Sequence, residues 1–591
     1  MMKRKTAIYC LIAFFLIVSL AACRNKQSSA QRPGAEDAAA RVTALADEYI
    51  KEALSRYPEQ AAFLGLAEAP QDRLTDNSLE ALRVWQATED RWAAEISQID
   101  ASSLWGRPEW LTFGFLREMV ESSRAARIAR SELWAVNHMS GWQTGFARLA
   151  AIQPVGTPEK RAQALARWGM LARFIDTEIS NLREGLKLGY TAPKLTVRLV
   201  IGQLDAVLGA PVESSPLFSP AARDETPEFR EAWKKLLADA INPAVRRYRD
   251  FLEKEYLAGA RDSLGVSALP NGAEIYRALF RSATTLDRPA EETFRLGQEA
   301  VQKYESEAAA IGREITGSSD LDSIRAKIKS DPANYFKDRQ DLLAFSRDAV
   351  ERARQAMPQW FLAIPKADVV IEPIPEFLEK TASSGYEPAA ADGSRPGTYR
   401  INLYQPEKQM RSTMEVTAFH ETYPGHHFQI AVAMEIPSGH PITRIPMSGG
   451  YIEGWARYTE ALAEEMGLYT SDCARIGRRL WPAHGMVVDP GIHIMGWSRE
   501  QAIDFVFATG RFSEHEAESL IDRVIATPTQ LTSYDTGALE FFALRKKAEE
   551  ALGPKFDIKA FHDQLLKYGS VTLPMLREII ERWVEEGGGS R

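Results

Sequence analysis

Cysteine is nearly absent from this chain, with three residues in 591. Cys10 and Cys23 fall in an N-terminal stretch that reads as a processed leader. Only Cys473 is left, so no intrachain disulfide framework is available. A chain of this length without cross-links must rely on a large apolar core, and 45% hydrophobic residues can supply one. A basic stripe with interleaved aromatics is missing too. The formal net charge is −8 with both signs scattered, which argues against nucleic acid as a partner. No Gly-x-Ser-x-Gly elbow points to serine chemistry, because the nearest approach, Gly265-Val266-Ser267-Ala268-Leu269, lacks the closing glycine. No internal repeat is evident, and no long linker divides residues 37–585.

The one long apolar run lies at the N-terminus. Met1-Met2-Lys3-Arg4-Lys5 is basic, and Ala7 through Leu20 is apolar but short for a membrane span. Leu20-Ala21-Ala22-Cys23 closes it and resembles a bacterial lipobox. Residues 1–22 are therefore expected to be a lipoprotein signal peptide, with Cys23 the lipidated first residue of the mature chain and 23–36 a polar tether. Arg24, where an Asp would act as a retention signal, resembles Gram-negative sorting to the outer membrane, facing the periplasm.

Histidine is also scarce, with nine in the chain, yet His420, His426 and His427 fall within eight residues, together with Glu421. Three imidazoles and a carboxylate this close can hold a metal. In the zinc-protease spacing H-E-x-x-H the two histidines lie one helical turn apart and the Glu is general base. Here Pro424 occupies the place of the second histidine. On an unbroken helix His420 and His426 would be ~9 Å apart along the axis, and His420 and His427 ~10.5 Å, at ~1.5 Å per residue. Ligand nitrogens lie ~2.0–2.1 Å from zinc, so the helix must open between them. Pro424 removes the N–H that would bond His420 and clashes with its carbonyl, and Gly425 supplies the backbone freedom a bulge needs. His420 is an expected ligand, with His426 or His427 as the second; a resemblance to zincins, in which a Gly often precedes the second ligand histidine, favours His426 after Gly425, with His427 the alternative.

A third ligand is expected from the segment Gly449 to Glu460. Glu453 is the choice because it opens this helix in apolar, glycine-flanked surroundings. Glu460 and Glu464 compete, but lie in a more polar stretch that reads as a solvated helix face.

His420-Glu421-Thr422-Tyr423-Pro424-Gly425-His426-His427 followed by Glu453-Gly454-Trp455-Ala456-Arg457-Tyr458-Thr459-Glu460 resembles the bacterial domain-of-unknown-function 885 family, which includes chains described as lipoproteins. Leu269-Pro270-Asn271-Gly272, Arg395 to Tyr399, Val488 to His493 with Gly496 to Ala502, and Gln530 to Tyr534 fit the same pattern, so the likeness runs from about residue 40 onward. That family is similar in turn to the gluzincin zinc metallopeptidases, whose third ligand is Glu. The resemblance implies a mainly α, large two-lobed helical fold with a small β-sheet next to the active-site helix. It also implies one zinc ion and a peptide substrate cleaved with Glu421 as the proton-transferring base. His, His and Glu with one open position suit zinc, though other divalent ions fit the same set. Tyr534 and His493, in polar, loop-like runs, are candidates to donate a hydrogen bond to developing charge. Two other function classes stay open: a lipoprotein that binds peptides without cutting them, and a metal-dependent hydrolase of another amide or ester.

Helical periodicity dominates the mature chain, as in Val42, Leu45, Tyr49 and Ala53, and in Phe294, Val301, Tyr304, Ala308 and Ile311 after Pro289. Strand patterns occur at 368–372 and 399–404, just upstream of the histidines. Residues 399–404 are expected either as an edge strand that receives an extended peptide or as a buried structural strand. Ser214 through Pro227 is the best loop. Residues 37–360 form the expected N-terminal helical region, and 361–591 the metal-site region of the same body.

Overall fold

The period at Val42, Leu45, Tyr49 and Ala53 belongs to one helix, Ala35–Arg56, in a computed structural model of the chain. The structure describes residues 35–589 apart from 66–68, 375, 377–378, 380–382, 391–394, 437–438 and 446–447. The expected signal peptide and Cys23 lie outside the described residues. The expected tether ends too late, since 35 and 36 are already helical. The second period is the helix Ala290–Thr316, which starts after Pro289 with Glu291 and Glu292 in its first turn and stops at Gly317 in the left-handed region, φ 74°. Helices take up 71% of the structure, so the chain is mainly α with one small sheet. The stretch expected as a loop is largely helical: Val212–Ser214 and Pro216–Phe218 are 3₁₀ turns and Ser219–Ala222 is a short helix. No described helix is long and apolar enough to cross a membrane.

The largest apolar cluster runs from Val42 and Leu45, through Phe113 and Leu116, to Tyr399, Phe419, Trp455 and Trp583. The first and last described helices thus share a core with the histidine segment, and residue 360 is not a break in the packing. A second cluster is built from residues 74–260 alone, around Trp168, Trp233 and Tyr248. Burial of aromatic side chains on this scale supplies the apolar core that a chain poor in cysteine needs.

The sheet has three strands in the order β1-β3-β2, where β1 is Val370–Pro373, β2 Gly385–Glu387 and β3 Thr398–Ile401. β3 pairs parallel with β1 and antiparallel with β2, Tyr399 lying opposite both Ile371 and Tyr386. The edge-strand expectation for 399–404 is therefore corrected. Both edges of β3 are occupied, Tyr399 and Ile401 are fully buried, and the buried alternative holds. A second expectation also changes. The Val488 to His493 run is not loop-like, because it lies in the helix His484–His493, every residue of which is buried.

Candidate metal centre

The helix Arg411–Glu421 carries His420 at its end, and a new helix, His426–Met434, begins with His426. Between them the backbone widens: the Gly425 N–H donates to the Phe419 carbonyl at 3.1 Å and the Phe428 N–H to the Thr422 carbonyl at 3.2 Å. The helix opens where Pro424 requires it to. Gly425 supplies the backbone angles expected of it, φ −76° with ψ −134°, which is neither helical nor extended. It also provides space, because a Cβ there would lie 1.9 Å from the His420 carbonyl oxygen. The Trp455 indole N–H donates to the Pro424 carbonyl at 2.9 Å and ties the opened loop to the next helix.

That helix, Gly449–Glu465, presents Glu453. One donor atom each from His420, His426 and Glu453 lies within 4.8 Å of the other two. Glu453 Oε2 is 3.6 Å from His420 Nε2 and 3.3 Å from His426 Nε2. Buried polar atoms in proteins are nearly always paired, yet Glu453 Oε2 and His426 Nδ1 have no hydrogen-bond partner among the described residues. His420 is held from behind by Glu460, whose Oε1 is 2.8 Å from Nδ1. A carboxylate there accepts the Nδ1 proton in a hydrogen bond and turns Nε2 toward Glu453, the arrangement that orients metal-binding histidines. Two imidazole nitrogens and one carboxylate with an unpartnered oxygen fit a divalent cation, zinc among them.

The charges point the same way. Burial alone would lower His420, but Glu453 and Glu460 outweigh it and raise the imidazole to about 10. Burial alone would raise Glu453, yet the two histidines hold its carboxyl well below the usual carboxylate range. Glu460 is opposed in the same way by Arg457 and His420 and falls to about 2. The spot stabilises positive charge in a desolvated setting, which a cation would supply.

Glu421 stands beside this group. Its Oε2 accepts the Tyr386 backbone N–H of β2 at 2.9 Å, while Oε1 has no hydrogen bond among the described residues. Burial raises its carboxyl against the pull of His420 and His426, which moves it toward the range a general base needs. Tyr534, in the first turn of the helix Thr532–Leu552, stacks on His420 with ring centroids 6.3 Å apart and planes inclined by 16°. Close packing of two helices brings it there. A Cβ on Gly454 would lie 2.6 Å from Gly537, and one on Gly537 1.7 Å from the Gly450 carbonyl oxygen. The tyrosine oxygen accepts long hydrogen bonds from Arg523 at 3.4 Å and Gln530 at 3.5 Å, so its own proton is available.

His427 and His493 are not part of this group. His427 Nε2 lies 3.2 Å from the Ala367 carbonyl and Nδ1 3.1 Å from the Tyr386 hydroxyl, so both nitrogens are engaged away from Glu453. His493 is corrected as a donor to developing charge. It is fully buried, its Nε2 is 2.9 Å from the Val524 carbonyl, and its Nδ1 accepts the Val266 N–H at 3.4 Å, which leaves no proton to give. Neither competing glutamate lies on a solvated face. Glu464 is bound by Arg475, Arg478 and Arg479, and Glu460 is 3% exposed between His420 and Arg457. Sequence reasoning missed Glu460 behind His420, although Glu453, Arg457 and Glu460 at i, i+4 and i+7 mark one helix face. Tyr386 had no comparable signal, since β2 is only three residues long.

A family model described as a bacterial protein of unknown function, DUF885, matches residues 58–580. No curated protein matches. Among the solved structures that share the fold are two described as lipoproteins. The "putative lipoprotein" from Colwellia psychrerythraea is 22% identical with a TM-score of 0.84, over 94% of this chain and 100% of that one. The "putative lipoprotein of unknown function" from Shewanella oneidensis is 20% identical with a TM-score of 0.75, over 91% of this chain and 99% of that one. With the family model spanning most of its length, the chain belongs to the DUF885 family of bacterial proteins.

Proposed function

We propose that this protein is a zinc-dependent peptidase of gluzincin-like, two-lobed architecture that hydrolyses peptide bonds of short peptides at the cell envelope. The observation that carries the reading is the convergence of His420, His426 and Glu453, with Glu453 Oε2 buried between the two imidazoles and without a hydrogen-bond partner among the described residues, next to a Glu421 outside the cluster. His420, His426 and Glu453 would hold the ion. Bound there, a divalent cation supplies Lewis-acid polarisation of a carbonyl and makes water more acidic. Glu421, with one oxygen fixed by Tyr386 and the other free, takes a proton from the attacking water and returns it to the leaving amine. Tyr534 donates a hydrogen bond from its hydroxyl to the oxygen on which charge develops. Glu460 keeps His420 in one tautomer, and Arg457 keeps Glu460 ionised through contacts of 2.8 and 2.9 Å. The test is metal content of the purified chain together with product analysis of a peptide mixture by mass spectrometry. Bound metal without any cleavage would favour a peptide-binding lipoprotein instead.

His427 supports the base in this scheme. Its Nδ1 accepts the Tyr386 hydroxyl proton, and the backbone N–H of the same tyrosine holds Glu421. His427→Ala should therefore retain metal and lose turnover on the order of 10-fold, the lower end of what outer-shell partners contribute. Metal analysis beside kinetics checks this. An empty His427→Ala protein next to a filled His426→Ala protein would exchange the two roles.

The envelope placement rests on the lipobox-like Leu20-Ala21-Ala22-Cys23 and on the description of both structural neighbours as lipoproteins. Lipid on Cys23 would anchor the protein at the cell envelope, on the periplasmic side of an outer membrane. Cys23→Ser removes the attachment atom and should move nearly all of the protein out of the processed membrane fraction. Unchanged fractionation, with no lipid found on the wild-type protein by mass spectrometry, would overturn the anchor.

A further inference from the structure

Arg523 is a cation beside Tyr534. It lies half-buried in the helix Glu514–Ala526, and its Nη2 donates to Gln530 Oε1 at 2.6 Å and to the Tyr534 hydroxyl at 3.4 Å. Among the described residues no carboxylate forms an ion pair with it, and its Nη1 and Nε make no hydrogen bond. The nearby acids are already engaged. Asp522, its neighbour in the chain, receives Arg499 at 2.8 and 3.1 Å, and Asp535, next to Tyr534, faces Arg457. Three other arginines are neutralised, Arg457 by Glu460, Arg479 by Glu464 and Arg545 by Glu465, whereas Arg511, near Arg457 and Glu460, has no ion pair among the described residues. A guanidinium with a free edge matches a carboxylate in a two-pronged contact, and this one is held in place by Gln530 and Tyr534.

We propose that Arg523 is a specificity-determining residue that binds a carboxylate of the substrate, so that peptides carrying an acid close to the scissile bond are the preferred class. The inference rests on the peptidase reading above. Arg523 touches Tyr534, and Tyr534 stacks on His420, so the recognised acid lies within a few residues of the reacting carbonyl, at ~3.3–3.6 Å per extended residue. Two sources share this chemistry: the C-terminal carboxylate of a peptide, and an acidic side chain within it.

The test uses the full chain supplied with zinc and two matched pairs of peptides. Tetra-alanine against its C-terminal amide probes the terminal acid, and Ala-Ala-Glu-Ala-amide against Ala-Ala-Gln-Ala-amide probes the side chain. The acid of one pair should be preferred by about 10- to 100-fold in kcat/KM, the range of a charge-assisted hydrogen-bond pair. Arg523→Gln should bring that ratio to near one, and Arg523→Lys should keep part of it. Because each ratio is taken within one variant, general damage to Tyr534 or the fold cancels. The same pairs titrated calorimetrically into the Glu421→Gln protein should show the same preference in Kd, without reliance on turnover. Absence of cleavage with the preference in Kd intact would count against the peptidase reading alone. Equal treatment of both pairs by the wild-type protein, or a preference that survives Arg523→Gln, would overturn the role of Arg523.

Discussion

Glu421→Gln should leave the metal in place and reduce turnover by roughly 10²- to 10⁴-fold, the range a positioned general base contributes. The two halves of this expectation have separate origins. Glu421 does not belong to the group His420, His426 and Glu453, so the substitution removes no ligand. Its Oε2 already receives a backbone N–H from β2, and the amide of Gln can keep that contact, so the loop geometry survives. What disappears is a carboxylate able to take a proton. Steady-state kinetics on the wild-type and variant proteins, with metal measured on the same samples, checks both halves. Wild-type turnover in the variant would remove Glu421 from the mechanism, and loss of metal would make it a ligand.

Ala at His420, His426 or Glu453 should empty the site in each case, from about one ion per chain to a small fraction at matched protein concentration, with hydrolysis falling to background. Each of these side chains supplies one of only three donor atoms, so its removal should exceed the ~10–100-fold loss in affinity caused by removing an outer partner. Glu460 sharpens the comparison. It sits behind His420 at 2.8 Å from Nδ1, and its replacement by Gln should weaken the metal without emptying the site. If Glu460→Gln emptied the site while Glu453→Ala remained filled, the carboxylate ligand would have been assigned to the wrong turn of the helix.

Much of this centre was legible in the sequence because its essential feature is a covalent spacing. A proline four residues after His420 and the late arrival of His426 dictate a helix that stops and restarts, and Arg411–Glu421 followed by His426–Met434 does so. Glu453 was legible from the glycines around it, and these let the Gly449–Glu465 and Thr532–Leu552 helices meet at Gly454 and Gly537. The choice between His426 and His427 was not legible. It depends on which ring faces Glu453 and which faces Ala367 and Tyr386, and adjacent positions in a chain do not encode that. His493 illustrates the opposite error. The surrounding Asp489, Pro490 and Gly491 suggest an exposed turn, but Asp489 accepts the Tyr276 hydroxyl at 2.8 Å and the Thr529 N–H at 3.0 Å, so polar residues line a buried helix instead. The strand at 399–404 was legible as a strand but not as a central one. Its second neighbour, β2, is a three-residue segment with no pattern of its own.

The claim on which everything else depends is that one ion sits among His420, His426 and Glu453. Anomalous diffraction at the zinc absorption edge, from crystals of the zinc-supplemented full chain, tests it without any substrate. The expected result is a single strong peak bounded by those three side chains, with none at His427. A peak at His427 or elsewhere, or no peak in protein that is otherwise well ordered at these residues, would contradict it.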